Sequence, residues 1–251
     1  MKVFLTGASS GIGEALARLY ASRGATLGLV ARRADLLATL KSSLGAACET
    51  YPCDVRDGAA MKAAGADFIA RHGVPDLVIA NAGISHGTDT AVAEDAEVFR
   101  EIMDINVLGL VHTFHPFVEP MRQRRAGTLA GIASVAGFRG LPGSSAYSAS
   151  KAAAISYLEA LRLELRDTGV KVSTICPGFI ATPMTARNPY PMPFLIPADD
   201  AARRFARAMD RGASYAVIPW QMAIVGRVLK LLPDFVYDAA MAGAGRKPRK
   251  P

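Results

Sequence analysis

Cysteine is scarce in this 251-residue chain: Cys48, Cys53 and Cys176 are the whole supply, and no two form a Cys-x-x-Cys pair. An odd number without paired spacing excludes a disulfide framework and a zinc site, and predicts reduced thiols in a cytoplasmic protein. Histidine is also sparse. His112 and His115 lie three apart in a helix-like stretch with no acidic or cysteine partner nearby, so no metal site is expected. No apolar run reaches the roughly 18 residues that a spanning helix needs. The first strand-like run begins at Lys2, which predicts no leader segment. Internal repeats and linker-like breaks are lacking too, so a single domain over 1–245 is the economical reading.

Acidic residues are outnumbered, 22 against 29 basic, for a net charge of +7. Four of the cations, Arg246, Lys247, Arg249 and Lys250, crowd the last six positions, interleaved with Pro248 and Pro251, and 246–251 reads as a disordered basic tail. So short a tail does not call for a nucleic-acid partner. The remaining charge suits a chain that binds a polyanionic small molecule.

What is abundant is apolar residues, 51% of the chain, in an alternating pattern. Strand-like runs at 2–6, 25–31, 49–54, 75–80, 127–133, 170–175 and 215–218 are separated by helix-length segments at 12–23, up to 44, 57–72, 94–104, 106–124, 146–166 and 198–211. Strand–helix alternation implies right-handed crossovers and a doubly wound, Rossmann-like α/β fold, here with about seven parallel strands. Residues 183–197 break the rhythm with five prolines among Met184, Tyr190, Met192, Phe194, Leu195 and Ile196, a composition suited to a substrate loop. A C-terminal helical arm follows over 220–241. Its Arg227 and Lys230 on an apolar background fit packing on its own domain or a partner subunit, ahead of contact with a membrane surface.

Two stretches carry chemistry. Thr6-Gly-Ala-Ser-Ser-Gly-Ile-Gly13 follows the first strand and opens the first helix, where glycines let a backbone approach a phosphate and helix N–H groups face it. Tyr147 and Lys151 are four apart, one helical turn, so phenol and ammonium share a face. A cation there favours the phenolate, which moves a poor acid/base toward the working range. Taken alone, the pair fits a solvated helix face better.

The whole set resembles the short-chain dehydrogenase/reductase family. The resemblance runs in order through Gly7-x-x-x-Gly11-x-Gly13, Asn81-Ala-Gly83, Asn106, Ser134, Tyr147-x-x-x-Lys151, Pro177-Gly178 and Ile180-Ala-Thr182. It covers residues 2–184 and leaves the C-terminal quarter unassigned. It implies carbonyl–alcohol interconversion by hydride transfer. Tyr147 would be the general acid/base, Lys151 the residue that lowers its pKa, Ser134 the group polarising the carbonyl, and Asn106 the support of a proton relay. It further implies nucleotide contacts from Gly7, Ser9, Ser10, Gly11, Ile12 and Gly13, from Asp54 and Val55 at the adenine, and from Asn81, Ala82 and Gly83. Pro177, Gly178, Ile180 and Thr182 would meet the nicotinamide end, with Tyr147 and Lys151 beside it. A homodimer or homotetramer is the family expectation.

Charge separates the two nicotinamide cofactors. An NAD(H) site sets a carboxylate at the end of the second strand, which would repel a 2′-phosphate. Here that place holds Ala31, followed by Arg32 and Arg33. Guanidinium suits phosphate, so NADP(H) is expected ahead of NAD(H), with Arg32 the main contact and Ser9 assisting. The apolar loop and arm favour an apolar ketone. A cofactor-binding sensor or scaffold with little turnover is the competing reading.

Overall fold

A computed structural model describes residues 1–45 and 47–250. The chain runs β1 (Lys2–Thr6), α1 (Gly11–Ser22), β2 (Thr26–Ala31), α2 (Ala34–Leu44), β3 (Cys48–Pro52), α3 (Gly58–His72) and β4 (Leu77–Ala80). It continues through α4 (Asp95–Met103), one turn of π-helix (Asp104–Leu108), α5 (Gly109–Arg124), β5 (Gly127–Ile132), α6 (Ser145–Glu164) and β6 (Val170–Pro177). Last come β7 (Ile180–Ala181), β8 (Ile196–Pro197), α7 (Ala198–Asp210), β9 (Tyr215–Ile218), α8 (Trp220–Leu231) and α9 (Asp234–Met241).

Seven strands form one parallel sheet in the order β3-β2-β1-β4-β5-β6-β9, the doubly wound Rossmann arrangement expected. Side chains alternate across a strand, and the two cores follow that rule. Val3, Leu5, Leu77 and Ile79 face one way, onto Leu16, Tyr20, Leu37 and Phe205 of α1, α2 and α7. Phe4, Val78 and Ala80 face the other way, onto Phe68, Phe114, Phe117 and Leu158 of α3, α5 and α6. Strands buried on both faces explain why their sequences read as continuous apolar runs.

Two departures from the sequence reading concern the C-terminal part. The apolar loop between β7 and β8 closes on itself through the short β7–β8 ladder, a pairing too brief for sequence periodicity to register. Residues 246–250 are not a free tail. Pro248 O accepts from Gly87 N at 2.8 Å, Arg249 pairs with both carboxylate oxygens of Asp95 at 2.8 and 3.0 Å, and Lys250 reaches Glu101 at 2.6 Å. A basic segment reads as solvated only while its counter-ions are unseen; here they stand along α4. Pro251 lies outside the described residues.

The arm of α8 and α9 is fixed by Arg139. It donates to Leu229 O and Leu232 O at 2.9 and 2.8 Å, pairs with Asp234 at 2.8 Å, and lies 4.1 Å above the Tyr237 ring. Trp220, Ile224, Val228, Leu231 and Phe235, at helical spacing, remain exposed. Among the described residues no helix is long and apolar enough to cross a membrane.

Candidate active site

In the strand order, β1 lies between β2 and β4, so connections leave the sheet in opposite directions and open a crevice at the strands' C-terminal ends. A cleft of about 270 Å³ occupies it. The turn after β1 supplies Gly7, Ser9, Ser10, Gly11 and Ile12 to its wall. Arg32 and Arg33 come from the end of β2, Asp54 and Val55 from beyond β3, and Asn81, Ala82 and Gly83 from beyond β4. Ser134, Tyr147, Lys151, Pro177, Gly178, Ile180 and Thr182 complete it. Gly13 and Asn106 do not line the cleft.

Gly7 and Gly11 adopt φ of +68° and +58°, a region open to glycine and closed to most side chains. Gly13 lies beneath the turn, where a Cβ would come within 2.0 Å of Gly7 O. Its part is to let α1 close up against the turn. Ser10 precedes α1 without a side-chain cap bond, so the first N–H groups of the helix keep no side-chain acceptor. Asn81 braces the same turn from β4, donating to Thr6 O at 3.1 Å and Gly7 O at 3.3 Å. Thr182 lies over Gly11, its Cγ2 3.2 Å from where a Cβ would stand.

The two arginines part company. Arg33 donates to Ser9 Oγ and Ser10 Oγ, both at 2.9 Å, while Arg32 lies 3.8 Å from the Asp54 carboxylate. The guanidinium gathered with Ser9 is therefore that of Arg33, where the sequence reading had given Arg32 the main part. Arg33 precedes α2 as its cap residue, which turns its side chain back toward the glycine turn. Burial pushes Asp54 up, but hydrogen bonds from Arg56 outweigh it and leave the carboxyl below its ordinary range.

Tyr147 and Lys151 rise from the first turns of α6. Lys151 is 5% exposed and donates to Ile132 O at 2.8 Å; burial pulls its ammonium down to about 8. Its Nζ lies 5.8 Å from the Tyr147 ring centroid. The phenol itself is pushed up by burial, with the Ser134 hydrogen bond acting the other way. Ser134 Oγ accepts from Ala136 N at 3.1 Å, which leaves its own proton to donate.

Asn106 sits in the π-helical turn, where the widened helix interrupts the α ladder. It is 2% exposed and fully engaged: Oδ1 accepts from Ile84 N at 2.9 Å, and Nδ2 donates to Ile84 O and Ser150 Oγ, both at 3.0 Å. Ser150 in turn donates to Tyr147 O at 2.8 Å. Asn106 thus ties the segment after β4 to the turn of α6 that carries Tyr147. Outside the cleft, His112 is satisfied by Val55 O at 2.9 Å.

Comparison with known proteins gives this arrangement a family. The family model described as short chain dehydrogenase matches residues 1–191. The chain is a short-chain dehydrogenase/reductase. As such it is an oxidoreductase, and it is 41% identical to an uncharacterized oxidoreductase of Myxococcus xanthus over 94% of each chain. A short-chain dehydrogenase/reductase of Burkholderia phymatum in complex with NAD superposes with a TM-score of 0.82 at 26% identity, covering 100% of this chain and 96% of that one. A variant of actinorhodin polyketide ketoreductase with NADPH superposes at 0.78 with 28% identity, covering 86% and 95%.

Sequence reasoning about this dehydrogenase/reductase missed a second wall beside Tyr147. Lys247 Nζ lies 5.6 Å from the Tyr147 ring centroid and donates to Ser85 Oγ at 2.7 Å. Tyr190 packs at its edge on Phe179, 6.5 Å between centroids, and the chain passes Tyr190 again at Gly245. Tyr190 was visible as part of an apolar loop. Lys247 carried no signal, because nothing local distinguishes it from its basic neighbours.

Proposed function

We propose that the chain is an NADP(H)-dependent oxidoreductase that interconverts a carbonyl and a secondary alcohol, on one domain spanning 1–245. The observation that carries the reading is the gathering of Ser134, Tyr147 and Lys151 in the same cleft as the glycine turn. The residues fit the cofactor. Gly7 and Gly11 hold the turn at positive φ with its backbone lining the cleft, the N-terminus of α1 lacks a side-chain cap, and Arg33 with Ser9 and Ser10 offers donors suited to a 2′-phosphate. Asp54 and Val55 would hold the adenine, and Asn81, Ala82 and Gly83 the adenosine side. Pro177, Gly178, Ile180, Thr182 and Lys151 would hold the nicotinamide end. NADP(H), when bound, supplies the hydride for reduction or accepts it for oxidation.

Tyr147 delivers the proton to the carbonyl oxygen. Burial raises its phenol, so it keeps that proton at neutral pH and is set for reduction. Ser134 donates a hydrogen bond to the same oxygen and stabilises charge developing there. Lys151 stabilises the phenolate charge that builds up as the proton leaves. Asn106 holds Ile84 and Ser150, and through Ser150 the carbonyl of Tyr147, so it fixes where the phenol points and supports the path by which Tyr147 regains a proton. The polyketide ketoreductase likeness supports a ketone substrate, and Met184, Tyr190 and Met192 support an apolar one.

The test is a carbonyl panel assayed with NADPH and with NADH. The expected result is turnover that prefers NADPH and is abolished in Tyr147→Phe while cofactor binding survives. Bound cofactor with no turnover across the panel would favour a sensor or scaffold. Equal efficiency with NADH would remove the NADP(H) assignment. We further read the chain as a cytoplasmic homodimer or homotetramer: Leu108 and Leu163, on the helical segments that carry Asn106 and Tyr147, are 49% and 59% exposed. The exposed stripe of α8 and α9 suits a second copy of the chain better than a membrane, since Arg139 and Asp234 pin the arm to the body.

A further inference from the structure

The catalytic phenol has two lysines near it. Lys151 belongs to the cofactor cleft. Lys247 does not line that cleft, yet its ammonium comes as close to the Tyr147 ring, 5.6 Å against 5.8 Å. The tail that brings it there follows a built path. A Cβ at Gly87 would stand 2.1 Å from Lys247 O, so backbone passes directly against backbone. At Gly143, with φ +66°, a Cβ would meet Arg246 Cβ at 2.9 Å. Gly245 passes equally close to Tyr190 Cβ.

The neighbours of Lys247 in the tail are matched by charge, Arg249 with Asp95 and Lys250 with Glu101. Lys247 is not. Among the described residues it pairs with no carboxylate, and of its three N–H donors one goes to Ser85 Oγ. It is half-buried, and burial pulls its ammonium down to about 8. A half-buried cation beside the ring of the reacting phenol and lacking a counter-ion keeps N–H donors to offer an anion.

We propose that Lys247 is a specificity-determining residue: with Ser85 it binds an anionic group, a carboxylate or a phosphate, carried by the ketone substrate a few atoms from its carbonyl. This rests on reading Tyr147 as the acid/base of carbonyl reduction. It adds a polar end to a substrate whose other end meets the apolar loop.

The experiment compares matched probes, 3-oxohexanoate against its methyl ester and dihydroxyacetone phosphate against dihydroxyacetone. Binding to the NADP-loaded full chain is followed by calorimetry, and kcat/KM is measured with NADPH. The expected result is that the wild type favours one anionic member over its neutral partner by about tenfold or more, as for a charge-assisted hydrogen bond. Lys247→Met levels that ratio, chiefly through KM, and Lys247→Arg retains it. The pair that shows the ratio tells carboxylate from phosphate. A wild type that favours neither anion overturns the proposal, and so does Lys247→Met with the ratio intact. Turnover by the wild type separates the two readings. If no ketone is turned over but the binding ratio persists and depends on Lys247, the reductase reading fails and the anion site stands.

Discussion

Lys151→Met should make the cofactor-free chain more stable and less active at once. In the folded chain the Lys151 ammonium lies at about 8, against an ordinary 10.5. At about 1.4 kcal/mol per pH unit, holding it charged inside the protein costs about 3 kcal/mol. Losing its hydrogen bond to Ile132 O returns about 1 kcal/mol of that. Methionine fills similar volume without charge, so a net gain of about 1–2 kcal/mol is expected at pH 7. For a chain of this size that is a rise of about 2–8 °C in Tm. The pH dependence is the sharper part. Below pH 8 the lysine is protonated in both states and the cost is present in full. Between pH 8 and 10.5 the unfolded chain still binds the proton while the folded one has released it, so this lysine's contribution to stability rises with pH. The Tm gap between variant and wild type should therefore shrink from pH 7 to pH 10. Scanning calorimetry of both proteins, with turnover measured alongside, checks this. A variant no more stable at pH 7, or a gap that does not change with pH, refutes the account of Lys151 as a strained buried charge.

Arg33→Ala should weaken NADPH binding by about 10- to 100-fold, the worth of charged hydrogen bonds to a phosphate, while Arg32→Ala changes it little; fluorescence titration with NADPH and NADH distinguishes the two. Gly13→Ala puts a Cβ 2.0 Å from Gly7 O, so turn and helix must separate. A loss of about 1–3 kcal/mol of stability and of cofactor affinity should appear together in thermal melts and titrations.

The sheet was legible because its strands are buried on both faces, and seven apolar runs separated by helices leave few other ways to fold. The glycine turn was legible because Gly7, Gly11 and Gly13 are each required by backbone geometry, which a sequence displays directly. The arginines were harder. Adjacent residues at a strand end point in different directions, and only the capping position of Arg33 on α2 sets it beside Ser9 and Ser10. At Tyr147, spacing reveals the cation one turn away and hides the burial around the phenol. The tail was misjudged for a related reason. Asp95 and Glu101 lie about 150 residues from their partners Arg249 and Lys250, a separation at which local composition carries no information.

That long-range pairing also ranks the contacts that hold the tail. Lys250 and Glu101 are both part-exposed, and such a pair contributes about 0.2–1 kcal/mol. Asp95 is different: its side chain is 5% exposed, and it accepts from Asp89 N as well as from both arms of the Arg249 guanidinium. Asp95 has more partners and less exposure than Glu101, so Arg249 is the anchor. Lys247, two residues earlier, is held by one hydroxyl. The backbone of the tail is therefore held firmly, while the Lys247 side chain has one hydrogen-bond partner. That difference lets the Lys247 side chain exchange Ser85 for another acceptor while the backbone at Pro248 stays bonded to Gly87. Selectivity at the substrate side then depends on the movement of one side chain, and does not require release of the tail.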